Sequence, residues 1–258
     1  CLVGSEMCIR DSRKVMEKVL RPENFCVSYT GERESLDVVK AQAAGIKKVL
    51  FNGQKPESVK QAPCIKKNEA FKTSGQVQYV AQNGNFRKKG LEYTGALEIL
   101  KVILSYDYLW INLRVKGGAY GCMSGFKRNG ESFLVSYRDP HLKRTLEVYQ
   151  GVPDYIRAFE ANEREMTKYI IGTISNKDVP RTPQMQGSIS KTAYFSNVTE
   201  DMLQKERNQI LGAQKEDIQK LADLVEAVLS DDQICVVGSE TAIEKAEDVF
   251  MEVKPLIG

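Results

Sequence analysis

The chain has 258 residues, 42% of them apolar, with 37 Lys and Arg against 34 Asp and Glu and a single His. That apolar share supports a packed core of one or two domains and excludes a disordered chain. The near-balance of charge gives no basic face for nucleic acid, and the basic clusters at 47–48 and 87–89 read as solvated surface.

Residues 1–12, Cys-Leu-Val-Gly-Ser-Glu-Met-Cys-Ile-Arg-Asp-Ser, resemble the translation of a transposase sequencing adapter, in which ATG-TGT-ATA-AGA-GAC would encode Met7 to Asp11. They are expected to lie outside the native fold, as the scar of a gene cut on its 5′ side. Without them the balance is 36 basic against 32 acidic residues, a net +4. Four cysteines remain, Cys26, Cys64, Cys122 and Cys235, with no C-x-x-C pair. Three of these thiols sit in strand-like runs, where a free Cys behaves as a small apolar side chain. The expectation is a reducing, cytoplasmic setting without a disulfide framework.

Residues 13–20 read as the end of a helix, Phe25–Tyr29 as a short strand, and 34–50 as a helix after the Thr30-Gly31-Glu32 turn. The far end has the same order: a strand at 233–237, a turn at Gly238-Ser239-Glu240, a helix at 241–253. Aligning Cys26 with Cys235 separates the two by 209 residues, a domain length, and suggests two copies of one unit with only the tail of the first present. On this reading residues 13–52 are that tail, 53–67, with Pro56 and Pro63, are a linker, and 68–258 are one α+β domain. In that domain, 69–86 has strand character with a turn at Asn83-Gly84-Asn85.

The apolar positions Leu97, Leu100, Ile103, Leu104, Tyr108 and Ile111 recur at helical spacing, and Ile99, Val102, Leu109, Trp110 and Leu113 fill other faces. A long buried helix is therefore expected up to Gly117-Gly118, a glycine stop. Glu98, Lys101, Asp107 and Asn112 exclude a membrane span. Two alternating runs, 122–127 and 131–137, are joined by Arg128-Asn129-Gly130, a hairpin signal. Asp139-Pro140 reads as N-cap and first residue of a helix to about Gln150, and Asn162-Glu163-Arg164-Glu165 as a capping box. Helices follow at 183–195, from Thr199, and through Ile218, Leu221, Leu224, Val225 and Val228 to Leu229. Hairpins, then helices, then a returning strand give an α+β class: a mainly antiparallel sheet with helices on one face.

His141 is placed in the first turn of the Asp139-capped helix, on the surface. Gly117-Gly118-Ala119-Tyr120-Gly121 is not a phosphate loop, because it follows a helix and lacks the Lys-Ser/Thr. What remains is Arg114 and Tyr120 on either side of a glycine hinge. From the residues alone, Arg114 fits a cation at a helix C-terminus and Tyr120 fits a packed aromatic.

The run Leu-Arg-Val-Lys-Gly-Gly-Ala-Tyr-Gly, at 113–121, resembles a loop in the C-terminal half of the pitrilysin/insulinase metallopeptidases, nearest to the presequence-protease type. The similarity continues through Ser136-Tyr137-Arg138-Asp139-Pro140 and covers about 13–258. The resemblance implies a zinc metalloendopeptidase that degrades oligopeptides in a chamber closed by two halves. It implies Arg114 and Tyr120 as catalytic residues, and Arg114, Gly117, Gly118, Ala119 and Tyr120 as substrate-binding ones. The family's H-x-x-E-H zinc motif needs two histidines, and this chain has one. Zinc is therefore expected in the N-terminal half, with no metal ligand in this chain and no activity from it alone. The implied partners are unfolded peptides and that N-terminal half, with no nucleic acid and no membrane. A second reading is a non-catalytic relative, either a processing-peptidase partner or a structural core subunit.

Overall fold

The computed structural model describes residues 2–54 and 67–256, with side chains from residue 9 onward. Most of the expected linker lies outside the described residues. The chain divides into two compact units, Cys1–Pro63 with Pro180–Thr199, and Cys64–Val179 with Glu200–Gly258.

The first unit holds helices α1 (Leu2–Val19) and α2 (Leu36–Val49), and a later helix at Pro183–Phe195 that matches its expected span. Residues 180–199, placed by the sequence reading in the final domain, cluster here instead. The stretch read as adapter is continuous with α1, and residues 9–16 are all exposed. Arg21 is buried and ties the unit together: Nη2 donates to the Gly53 carbonyl at 2.7 Å, and Nε donates to Glu23 at 2.5 Å. Residues 25–30 form no strand. Phe25 has extended dihedrals, but extended backbone becomes a strand only when a neighbour pairs with it, and none of the described residues does. The proposed repeat is correspondingly unequal in structure. One arm is unpaired backbone before a 14-residue helix, and the other is a paired strand before a helix of five residues.

The second unit is built on six strands: β1 (Glu69–Thr73), β2 (Gln78–Asn85), β3 (Gly121–Phe126), β4 (Glu131–Asp139), β5 (Gln233–Ser239) and β6 (Glu252–Pro255). Their order is β3-β4-β2-β5-β1-β6. The first three pairings are antiparallel, and β1 pairs parallel with both β5 and β6. One sheet face, with Val80, Leu134, Ile234, Val236 and Ala70, is buried; the other, with Tyr79 and Met123, is open. Helix α3 (Ala96–Tyr106) contributes six buried apolar residues to the core beneath β3. The later helices, α4 (Lys143–Gln150), α5 (Val152–Arg157) and α6 (Glu163–Lys177), precede that of the first unit, α7, and are followed by α8 (Glu200–Leu211), α9 (Lys215–Gln219), α10 (Ala222–Leu229) and α11 (Glu240–Glu244). The α+β class with a mainly antiparallel sheet is the architecture observed.

Several local expectations change. Asn83-Gly84-Asn85 is not a turn but the end of β2. Gly84 is there for close approach: a Cβ on it would stand 2.0 Å from the Val228 carbonyl oxygen of α10. The long buried helix is broken at Asp107, whose carboxylate accepts a hydrogen bond from the Tyr169 hydroxyl, and resumes as a π-helix at Trp110–Val115. After the break only one side is covered, so Trp110, Ile111 and Val115 are exposed. Helix α4 starts at Lys143, not at Pro140, because Asp139 is still paired in β4. The Asp139 carboxylate caps the turn instead, accepting from the His141 N–H at 2.9 Å and the Thr145 hydroxyl at 2.7 Å. His141 therefore precedes the helix and is exposed. The expected terminal helix is cut to α11, a 3-10 turn and β6. The Asn162 capping box is present with both of its hydrogen bonds, at 3.0 and 2.8 Å.

Candidate functional site

The candidate site is the bend from the π-helix into β3. Two glycines make it, for different reasons. Gly118 stands at φ +79, a backbone region that side chains with a Cβ avoid. Gly117 is buried against the helix end, where a Cβ would lie 2.4 Å from the Leu113 carbonyl oxygen. The turn closes with Gly118 N–H donating to Arg114 O and Ala119 N–H to Leu113 O, both at 2.9 Å. Tyr120 N–H then reaches the Arg138 carbonyl at 3.3 Å, and β3 starts.

This bend brings Arg114 and Tyr120 together. Arg114 Nη1 donates to the Tyr120 carbonyl oxygen. Its guanidinium lies 4.5 Å from the Trp110 ring centroid and 5.5 Å from that of Tyr120. Tyr120 remains 56% exposed. Its ring meets Tyr137 edge to face at 5.5 Å. Tyr137 in turn lies across Gly121, where a Cβ would stand 2.4 Å from the ring. Of the five residues expected to bind peptide, Arg114 is half-buried, while Gly118 and Tyr120 are exposed. Gly117 and Ala119 are buried, because the turn uses their small size to pack on the helix end. Burial pushes the Cys122 thiol up, and the nearby Arg114 charge opposes that shift.

Two features here were not legible as function in the sequence. Trp110 forms a ring platform under Arg114, although the periodicity placed it in the core. Arg138 also lies against Tyr120, 5.6 Å from its ring centroid. Its place depends on pairing between distant strands, which no local spacing reports.

The only histidine is exposed, and among the described residues no group of three His, Cys, Asp or Glu could hold a metal. No described helix is long and apolar enough to cross a membrane.

The six-stranded sheet and its helices have a fold already seen in solved peptidase domains, and the likeness to them is one of fold. Solved structures with the same fold include the peptidase M16 inactive domain from Pseudomonas fluorescens, at TM-score 0.53 and 19% identity, covering 80% of this chain and 51% of that one. Another is the periplasmic protease PqqL from Escherichia coli, at TM-score 0.52 and 16% identity, covering 81% and 25%. The family model of the PreP C-terminal domain matches residues 68–240, and the chain belongs to that family. It is 42% identical over 250 residues to Protein HypA of Clostridium perfringens, which covers 96% of this chain and 26% of that protein. It is 33% identical over 192 residues to presequence protease 1, chloroplastic/mitochondrial, of Arabidopsis thaliana, covering 73% and 18%. The matched segments thus span about a quarter or less of these relatives.

Proposed function

We propose that this chain is the C-terminal part of a zinc metalloendopeptidase that degrades oligopeptides, and that it supplies substrate-binding and transition-state-stabilising groups but no zinc ligand. The observation that carries the reading is the exposed Tyr120 side chain on a bend clamped by Arg114. Peptide hydrolysis builds negative charge on the former carbonyl oxygen. A preorganised phenol can donate a hydrogen bond to it, and such donors act mainly on the transition state. Arg114 spends one N–H on the Tyr120 carbonyl. A guanidinium has five N–H donors, which leaves others for a peptide carbonyl. The exposed Gly118 lets a peptide backbone pass close to the loop. Zinc and the base that activates water are assigned to an N-terminal half, which is also the proposed partner that closes a chamber around unfolded peptides.

The test compares the 258-residue chain alone with the protein that also carries the N-terminal half. Zinc is counted by mass spectrometry, and cleavage is followed with a quenched fluorogenic peptide. The chain alone should hold no stoichiometric zinc and cut nothing, and the longer protein should do both. One tightly held zinc in the chain alone would overturn the division of labour. A longer protein that holds zinc and cuts no peptide would overturn the activity.

A further inference from the structure

Strand β4 carries one residue more than its neighbour at the end nearest the bend. Asp139 pairs with Gln78 and Ser136 with Val80, so Tyr137 and Arg138 together oppose Tyr79 alone. This is a β-bulge, a device that re-aims side chains and is common beside active sites. Regular alternation after Ser132, Leu134 and Ser136, all buried, would have turned residue 138 into the covered face. The bulge places Asp139 there instead, 1% exposed, and leaves Arg138 exposed. Arg138 adopts φ 48 to achieve this, a left-handed conformation that is strained for any residue with a side chain. Among the described residues no carboxylate pairs with it. The strain instead delivers two contacts to one residue: the Arg138 guanidinium against the Tyr120 ring, and the Arg138 carbonyl to the Tyr120 N–H.

We propose that Arg138 is a positioning residue for the Tyr120 hydroxyl, held in place by the bulge. The proposal rests on the reading of Tyr120 as the oxyanion donor. A cation against the ring restricts the swing of an otherwise exposed tyrosine, and it adds positive charge beside a hydroxyl that must meet a forming anion. Direct contact with substrate would be a different role, and the two separate experimentally.

In the longer peptidase, Arg138→Gly is the informative variant, because glycine takes φ 48 freely and the bulge is kept. Its melting temperature should hold or rise. Its kcat should fall about fivefold, the worth of one exposed cation–π contact, with KM unchanged. Arg138→Lys should recover part of the loss. In a Tyr120→Phe background, Arg138→Gly should have no further effect. Wild-type kcat in Arg138→Gly overturns the proposal, as does an equal loss in both backgrounds, which would mark direct substrate contact. If Tyr120→Phe itself has wild-type kcat, the reading of Tyr120 fails, and the positioning is judged on the 258-residue chain by NMR of ring-labelled tyrosine. There Arg138→Gly should lower the order of the Tyr120 ring, and unchanged order overturns the proposal.

Discussion

Replacing each of the two bend glycines by alanine separates two causes that the sequence shows as one Gly-Gly signal. At Gly118 the nearest atom to a new Cβ is Pro140 Cγ at 3.6 Å, an ordinary contact, so the cost is conformational only. A Cβ at φ +79 costs about 1–2 kcal/mol. At Gly117 the obstacle is backbone. The Cβ would lie 2.4 Å from Leu113 O and 2.9 Å from Asn112 O, so about 1 Å of displacement is needed to reach ordinary contact. Leu113 O is also the acceptor for Ala119 N–H, and that bond would stretch or break. Overpacking of about 1–3 kcal/mol plus a hydrogen bond of about 1 kcal/mol gives roughly 3 kcal/mol. At about 2–4 °C per kcal/mol, Gly118→Ala should lower the melting temperature by about 2–8 °C, and Gly117→Ala by roughly 6–12 °C. Circular dichroism melts of the chain suffice to measure both. If Gly117→Ala melts at or above Gly118→Ala, the account of the bend as a close backbone packing is wrong.

Burial raises the phenols of Tyr93, Tyr108, Tyr149, Tyr155 and Tyr169, and Tyr155 is pushed up to about 12 by burial and then by the Asp107 charge. The folded state therefore prefers the neutral ring. This stability is complete below about pH 10, the unfolded value, and is lost as pH rises through about 12. Phenolate absorbance and circular dichroism, recorded together, should show a late group of tyrosines ionising as helix is lost; all 11 titrating near pH 10 with the fold intact would contradict this. Deleting residues 1–12 should move the melting temperature by less than about 2 °C, because residues 9–16 are exposed in α1. A loss of several degrees would mean that the segment is packed and native.

What could be read from the sequence was set by short-range chemistry. The Asn162 box, the Asn129-Gly130 hairpin and the span of α7 depend on residues a few positions apart, and each stands where its signal lies. Gly84 was misread because its requirement comes from Val228, 144 positions away in sequence. Strand β6 was missed for a related reason: a short parallel edge strand is defined by its partner, β1, and its own four residues carry little pattern. The site divides in the same way. Arg114 and Tyr120 lie six positions apart in one short run, and they were singled out by the resemblance of that run to a metallopeptidase loop. Arg138 enters through the register of β4 against Tyr79, which only the assembled sheet reveals.

Tyr120→Phe in the proposed longer peptidase tests the central claim most directly, because it removes the hydroxyl and keeps the ring. If that hydroxyl meets the developing oxyanion, kcat should fall on the order of 10²–10³-fold, about 3–4 kcal/mol, with KM little changed and zinc content unaltered. Wild-type kcat and KM in the Phe variant would show that Tyr120 is an exposed aromatic of the bend and nothing more.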